Sequence, residues 1–124
     1  MAIAIAAWRE AKLISFFLPI NDLKEMFAAN AVLEAITKQF GGYTRSSMKK
    51  GSKMMGRYQS DNLQGYIDDW IVHVLVITRT KDAEARLAEL HVQVHEEYAA
   101  QESPQEAVWI LGQPVPLLAD GIDG

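Results

Sequence analysis

The stretch Trp70–Thr80, Trp-Ile-Val-His-Val-Leu-Val-Ile-Thr-Arg-Thr, decides the fold. It is rich in β-branched aliphatic residues, and no Gly or Pro interrupts it, so it fits a pleated strand. Successive side chains of a strand point to opposite faces, which places the three valines on one face and Ile71, His73, Leu75 and Ile77 on the other. Both faces are therefore apolar apart from the histidine. We predict a central strand that is covered on both sides.

The periodicity of the remaining chain predicts the order strand, helix, strand, strand, helix, strand. Two right-handed crossovers with both helices on the same face give an α+β ferredoxin-like βαββαβ sandwich, with a four-stranded antiparallel sheet. The first strand, Lys12–Ile20, and the third strand are the most apolar, and we expect them at the centre of the sheet. The predicted domain covers residues 12–118, after an N-terminal extension (1–11) and before a flexible tail (119–124).

Two details of this prediction depend on local patterns. The core side of the first helix is predicted to carry an apolar arc, whereas Lys24, Ala28, Ala31 and Ala35 face away; the arc comprises Leu23, Met26, Phe27, Ala29, Leu33, Ile36 and Phe40. The last strand is predicted at Glu106–Leu111. Gly112 and Pro114 are expected to break it, and Val115–Leu118 is expected to form a short edge piece beyond them.

Length and composition exclude several classes of protein. A chain of 124 residues forms one domain, and the absence of cysteine excludes disulfides, thiolate metal ligands and a cysteine nucleophile. The longest apolar run at the N-terminus, Met1–Trp8, is too short to span a bilayer and lacks the pattern of a signal peptide. We therefore predict a cytoplasmic protein without membrane association. No cofactor-binding fingerprint occurs, so no cofactor is predicted.

The two helices can cover only one face of the sheet. The other face then carries large apolar side chains, which are unusual on the surface of a monomer. We predict that this face forms an interface in a homo-oligomer, and the sequence leaves a dimer and a trimer equally open. The predicted interface residues are Leu13, Phe17, Ile71, Leu75, Ile77 and Trp109.

A basic segment follows the predicted second strand. It contains Arg45, Lys49, Lys50, Lys53 and Arg57, whereas all 16 acidic residues lie elsewhere in a chain of net charge −4. Cations among glycines and serines can surround an anion, so we predict an anionic small molecule or an acidic protein as partner. The alternative is a solvated hinge. The acidic remainder of the chain disfavours nucleic-acid binding.

The three histidines supply the alternative chemistries. His73 is the one ionisable residue of the central strand, and it would be the base if the protein were a small dimeric α+β barrel enzyme for an apolar or aromatic substrate. His91 and His95 have the i, i+4 spacing that can present two imidazoles to a metal, but a third ligand such as Glu84 would be needed. We predict that both are packing residues and that there is no metal site.

Three short stretches support a resemblance to known proteins. Phe40–Arg45, Gly56–Tyr58 and Gln105–Trp109 look like segments of small uncharacterised bacterial proteins of this architecture. The whole order from Lys12 to Leu118 resembles the PII-like superfamily, which includes the PII signalling and divalent-cation tolerance proteins. This resemblance implies a ferredoxin-like oligomer whose loop after the second strand meets ligands or partners. The predicted function is non-enzymatic ligand or partner binding, of a regulatory kind.

Overall fold

The structure is a computed structural model that describes residues 6–49, 54–60 and 65–120. Its elements, in chain order, are β1 (Ala6–Pro19), α1 (Leu23–Phe40), β2 (Thr44–Arg45), β3 (Met54–Ser60), β4 (Gly65–Thr78), α2 (Ala83–Ala100) and β5 (Ile110–Asp120). The predicted α+β class and the ferredoxin-like order are confirmed. Within the described ranges, neither helix combines the length and the apolar character that crossing a bilayer requires.

All strands belong to one antiparallel sheet of order β2-β4-β1-β5, and β3 pairs with β4 as well. The sheet thus has five strands where four were predicted. β2 and β3 lie along the same edge of β4, because Arg45 pairs with Val74 and Met54 pairs with Ile71. They are two pieces of the predicted second strand, separated by residues 46–53. β1 and β4 occupy the centre, as predicted.

The core lies between the two helices and one face of the central strands. Ile14, Phe16 and Leu18 of β1 alternate with residues on the opposite face, and the three valines of β4 do the same. Both sets are almost completely buried against α1 and α2. On α2 the helical spacing predicts a core stripe of Ala83, Leu87, Leu90, Val94 and Tyr98. This stripe is confirmed, since Leu87 is partly buried and the other four are buried. Tyr98 also donates a hydrogen bond of 2.8 Å from its hydroxyl to the carbonyl of Pro19.

α1 buries Ala29, Leu33 and Ile36 of the predicted arc, but the rest of its buried face differs from that arc. Ala28 and Ala35, which were predicted to face away, are buried, whereas Leu23 and Phe27 are more than half exposed. Alanines allow a helix to approach the sheet and a second helix closely, and a face of large side chains would hold it further away. The chain therefore buries the small residues and leaves two large ones in solvent.

β5 also differs from the predicted last strand. It begins at Ile110, after most of the predicted Glu106–Leu111, and it continues through Pro114 and Pro116 to its end at Asp120. β5 pairs only with β1 in the described sheet, so one of its sides has no ladder. Proline fits an edge strand where its missing N–H would point away from the neighbour. The prolines therefore do not end the strand.

The pairing of β5 extends β1 at its start. Ala6–Phe16 pairs with β5 in continuous register, and residues 6–11, which were predicted to belong to an extension, form the first part of this strand. Ala119 and Asp120, predicted within the tail, are the last residues of β5. Residues 1–5 and 121–124 of the predicted extension and tail lie outside the described ranges.

Candidate functional site

The face of the sheet opposite the helices carries most of the residues that were assigned to an interface. Leu13 and Phe17 of β1 and Leu75 of β4 are half-buried there. Ile77 is 56% exposed, and Leu111 of β5 is similarly exposed. We call this surface the open face; its members are Leu13, Phe17, Ile71, Leu75, Ile77 and Leu111. Its role in an interface stays a prediction.

Ile71 is the buried member of the open face, and a glycine on the neighbouring strand explains why. A Cβ atom at Gly56 would lie 2.4 Å from Ile71 Cδ1 and 2.6 Å from the hydroxyl oxygen of Tyr58. The missing side chain thus leaves the space in which the isoleucine and the tyrosine pack over β3. A larger residue at this position would force both of them to move.

His73 lies on the open face, as predicted. Its ring stacks on that of Phe17, with centroids 4.9 Å apart and an angle of 6° between the planes. Its backbone N–H donates to Ser46 Oγ at 3.0 Å. Nε2 is buried and has no hydrogen-bond partner in the part of the chain that the structure describes.

A cavity of about 790 Å³ opens where the β3–β4 hairpin faces the segment that leads from α2 to β5. We call it the hairpin cavity. Its apolar walls come from both sides and include two members of the predicted interface, Phe17 and Trp109. The other apolar lining residues are Tyr58, Ile67, Pro104 and Ala107. Ser60 joins the two sides, because its hydroxyl donates to Glu106 Oε1 at 2.7 Å.

The acidic wall of the hairpin cavity is organised by Asn21. Its side-chain amide donates to Glu25 Oε1 at 2.8 Å and to Asp69 Oδ1 at 2.9 Å, so one NH2 group bridges two carboxylates. Its Oδ1 accepts from the backbone N–H of Trp70 at 2.8 Å. Glu25 also accepts from the hydroxyl of Ser103 at 2.6 Å. These contacts fix the carboxylates on the cavity wall without a cation among them.

The surroundings change the acidity of two groups in this cavity. The pKa of Asp69 is raised above its ordinary value, first by burial and then by the negative charges of Glu25 and Asp68, although the hydrogen bond from Asn21 acts in the opposite direction. Burial also raises the pKa of Tyr58, and the charge of Asp69 adds to this effect. The phenol of Tyr58 therefore stays protonated and can donate a hydrogen bond. For Asp69, no neighbouring positive charge among the described residues offsets the cost of burying its charged form.

The structure does not gather the described part of the basic segment into one site. Arg57 is paired across the hairpin with Asp68, through bonds of 2.7 Å from Nε and 3.0 Å from Nη2. Hydrogen bonding and charge lower the pKa of Asp68 accordingly. Arg45 and Lys49 are exposed, and Lys50 and Lys53 lie outside the described ranges. Anion binding by these residues stays a prediction, with Arg57 already neutralised.

His91 and His95 contact each other rather than a third ligand. Their rings meet edge to face with centroids 5.1 Å apart, and His91 Nε2 lies 3.2 Å from the carbonyl oxygen of Val108. Within residues 6–49, 54–60 and 65–120, no group of three or more acidic, histidine or cysteine side chains is arranged to hold a metal ion.

The residues that organise the hairpin cavity were not predicted from the sequence. The sequence pattern predicts Asn21 or Asp22 as the helix cap, Glu25 as part of a capping box, and Asp69 as a carboxylate that faces water. Asp22 is the cap, with its side chain accepting from the backbone N–H of Glu25 at 2.8 Å. One local signal was available in the sequence. Asp22 alone is enough to cap α1, so the side chain of the adjacent Asn21 can form hydrogen bonds elsewhere.

Comparisons with known proteins support the fold. No family model matches the sequence, and the search of curated proteins finds no match. Among solved structures, the divalent cation tolerance protein CutA1 of Thermus thermophilus aligns with a TM-score of 0.52 and 14% identity, over 85% of this chain and 84% of that one. CutA1 of Oryza sativa aligns with a TM-score of 0.50 and 13% identity, over 86% and 80%.

A phage SAM lyase in complex with S-methyl-5'-thioadenosine aligns over 89% of both chains, with a TM-score of 0.49 and 16% identity. At these identities the CutA1 structures establish a shared fold and no shared chemistry. The predicted PII-like architecture is thus similar to that of solved CutA1 proteins, and a shared fold does not imply a shared function.

The neighbours Asp68 and Asp69 are expected to affect stability with opposite signs. The pKa of Asp69 is raised in the folded state, so its contribution to the free energy of unfolding is present below the ordinary value of 3.8 and is lost as pH rises. Asp69→Asn should therefore raise the melting temperature at neutral pH. The pKa of Asp68 is lowered, so its contribution to the free energy of unfolding is present above 3.8 and is lost on acidification. Asp68→Asn should therefore lower the melting temperature at neutral pH. Both differences should vanish in acid. Thermal melts over roughly pH 2–8 test this prediction. Shifts in melting temperature of the same sign for the two variants at neutral pH would contradict it.

Proposed function

We propose that this protein is an oligomeric small-molecule-binding protein whose hairpin cavity holds an organic cation with a flat apolar or aromatic group. The observation that carries this proposal is the combination, in one cavity, of aromatic walls and a partly buried carboxylate without a cation. Its volume of about 790 Å³ falls within the range of sites for small organic ligands.

The aromatic walls favour a ligand that is both flat and positively charged. Tyr58 and Trp109 line the cavity together with Phe17. The face of an aromatic ring attracts a cation, and this attraction contributes roughly 0.5–2 kcal/mol for each well-placed contact. Rings also stack with flat ligand groups. An alkali metal ion would not use the stacking.

The carboxylates favour the same class of ligand. Asp69 lies on the wall, and its pKa is raised because burial and neighbouring acids disfavour its charge. A bound cation would remove that penalty. Arg57 also lines the cavity, but its guanidinium is held by Asp68. An anionic ligand would therefore meet uncompensated negative charge on this wall.

Two other functions are less well supported by the geometry. Divalent cation tolerance, after which the Thermus thermophilus protein is named, would call for a metal-binding group, and the described residues contain no cluster of three suitable ligands. Catalysis by His73 would call for a ligand cavity around its imidazole. His73 lines neither the hairpin cavity nor the second large cavity, which lies at the other end of β4.

Association of copies through the open face belongs to the same proposal. Ile77 and Leu111 are more than half exposed, beside half-buried Leu13 and Leu75. Fully burying a side chain of this size is worth roughly 1.5–3 kcal/mol. Phe17 is shared between the open face and the hairpin cavity, so a second copy on this face would stand next to the ligand.

Calorimetric titration with three probes tests the ligand class. S-adenosylmethionine combines a sulfonium charge with an adenine ring, adenosine has the ring alone, and choline has a charge alone. We expect S-adenosylmethionine to bind most tightly. Asp69→Asn should weaken its binding about tenfold, or about 1.4 kcal/mol, because a carboxylate contact to a cation is lost.

Glu34→Gln is the matched control, since it removes one exposed carboxylate of α1 that is outside the cavity lining. It should change the affinity by less than about twofold. Trp109→Ala should weaken binding about fivefold through the lost ring contact. Adenosine or choline binding as tightly as S-adenosylmethionine, or an unchanged affinity in Asp69→Asn, would contradict the proposed ligand class.

A further inference from the structure

The buried carboxylate on the wall of the hairpin cavity is already saturated with hydrogen bonds. Glu25 Oε1 accepts from the backbone N–H of Asn21 at 2.9 Å and from its side-chain amide at 2.8 Å. Glu25 Oε2 accepts from the hydroxyl of Ser103 at 2.6 Å and from the amide of Gln105 at 3.5 Å. A carboxylate offers about four acceptor sites, and here all four are used. Glu25 therefore shapes the wall and has no acceptor left for a ligand.

Asp69 differs from Glu25 because one of its oxygens is free. Its Oδ1 accepts from the side-chain amide of Asn21 at 2.9 Å. In the part of the chain that the structure describes, Oδ2 has no hydrogen-bond partner. Asp69 is half-buried and lines the cavity. Because Asn21 holds one oxygen in place, the carboxylate keeps a fixed orientation and offers the other oxygen as an acceptor.

Gln105 provides a second free acceptor on the same wall. Its amide nitrogen lies near three oxygens, namely the carbonyl and hydroxyl oxygens of Ser103, at 3.0 and 3.4 Å, and Glu25 Oε2. These three acceptors determine which end of the amide is the NH2 group. The oxygen Oε1 is then at the other end, and it has no hydrogen-bond partner among the described residues.

The arginine of the cavity lining is engaged within the hairpin. Arg57 donates to both carboxylate oxygens of Asp68, and its guanidinium lies 5.7 Å from the centroid of the Tyr66 ring. A ligand anion would have to displace Asp68 to reach it. The free atoms of Asp69 and Gln105 are acceptors, and one of them carries negative charge. The wall thus matches a ligand whose charged end donates hydrogen bonds.

Organic cations differ in whether their charged centre can do this. An ammonium or amidinium group has N–H donors, whereas a quaternary ammonium or sulfonium centre is surrounded by carbon. A hydrogen bond between an N–H cation and a carboxylate is roughly twice as strong as one between neutral groups. A cation covered by carbon would remove water from Asp69 Oδ2 without replacing the lost hydrogen bond, which is costly for a partly buried carboxylate.

We propose, on the basis of the function proposed above, that the ligand of the hairpin cavity carries its charge on an ammonium or amidinium group that donates to Asp69 Oδ2. Gln105 Oε1 is a second acceptor on the same wall. The flat part of the ligand lies against the aromatic residues of the lining. The class of ligand is thereby narrowed from organic cations in general to those with an N–H donor at the charged centre.

Two probes with the same ring and the same charge test the proposal on the full chain. Tryptamine joins an indole ring to a primary ammonium, and N,N,N-trimethyltryptammonium lacks an N–H group at the charged nitrogen. S-adenosylmethionine cannot make this distinction, because it carries an ammonium group in addition to its sulfonium centre. In calorimetric titrations we expect tryptamine to bind about tenfold more tightly than its trimethyl derivative, through one charge-assisted hydrogen bond.

Asp69→Asn tests the origin of this preference. The amide oxygen of the new side chain can accept from Asn21 in place of Oδ1, which turns its NH2 group to the side of Oδ2. Tryptamine then meets a donor instead of an acceptor, so the two probes should bind with affinities within about twofold of each other. A preference caused by the bulk of the three methyl groups would persist in this variant.

Trp109→Ala is the companion variant, because it removes a ring of the lining and leaves Asp69 in place. Both probes should lose affinity by a similar factor of about five, and the preference for tryptamine should remain about tenfold. Glu34→Gln, on the exposed side of α1, should change neither affinity.

The comparison on the wild type needs no substitution and can overturn the proposal directly. Equal binding of the two probes, or tighter binding of the trimethyl derivative, would contradict an N–H cation and leave the wider class of organic cations in place. A preference that persists in Asp69→Asn would assign the selectivity to size and also overturn the proposal. If neither probe binds, the proposed function fails together with it.

Discussion

Replacing Ile77 by glutamate is expected to convert an oligomer of this protein into monomers. The side chain is 56% exposed in the single chain, so a carboxylate there costs the fold little. In an interface through the open face the same carboxylate would lose its water, at a cost of several kcal/mol. We expect the dissociation constant to rise about 100-fold or more, equivalent to about 2.7 kcal/mol. Light scattering over a dilution series measures this change.

Val92→Glu is the matched control for this prediction. Val92 lies on α2 and is 55% exposed, so both substitutions introduce glutamate at a β-branched position of equal exposure. Val92 is outside the open face, and its variant should keep the mass of the wild type. A wild-type protein that is monomeric at micromolar concentration, or equal masses of the two variants, would rule out association through the open face.

Phe16→Ala is expected to give the largest loss of stability among the predicted substitutions. Phe16 is fully buried between the central strands and the helices, and its removal leaves a cavity that the packed neighbours cannot fill. Such substitutions lower the free energy of unfolding by about 3–5 kcal/mol. Urea denaturation at a fixed protein concentration measures the loss.

Phe27→Ala provides the control with the same chemical change. Phe27 is 53% exposed on α1, and its substitution should cost less than about 0.5 kcal/mol. This pair also tests the position of α1, since the sequence pattern placed Phe27 in the core. Comparable losses for Phe16→Ala and Phe27→Ala would favour the predicted helix face over the observed one.

The parts of the fold that follow from short-range patterns could be predicted from the sequence. Alternation in Trp70–Thr80 and in Lys12–Ile20 identified both central strands and their helix-facing residues, because the period of a strand is fixed by its backbone. The buried stripe of α2 was also predicted correctly, because the period of a helix is likewise fixed by its backbone. In α1 the pattern was ambiguous, since alanine and large apolar residues compete for the buried face, and hydrophobicity alone favours the large ones.

The candidate site could be predicted only in part. Arg57 was identified as a cation, but its partner Asp68 becomes a neighbour only through the register of the β3–β4 hairpin. The Asn21 bridge joins the start of α1 to Asp69, and Ser103 reaches Glu25 from the far side of α2. Such contacts join residues far apart in the chain, and no local periodicity reports them.

The prolines of β5 have a consequence for the behaviour of this protein at high concentration. An edge strand of 11 residues would normally offer a long template for sheet-to-sheet growth, the route by which folded β proteins aggregate. Pro114 and Pro116 pair with Lys12 and Glu10 of β1, so the positions that lack N–H groups face outward. A strand arriving at that edge finds gaps in the row of donors. The same residues that obscured β5 in the sequence thus protect its outer side from unspecific polymerisation.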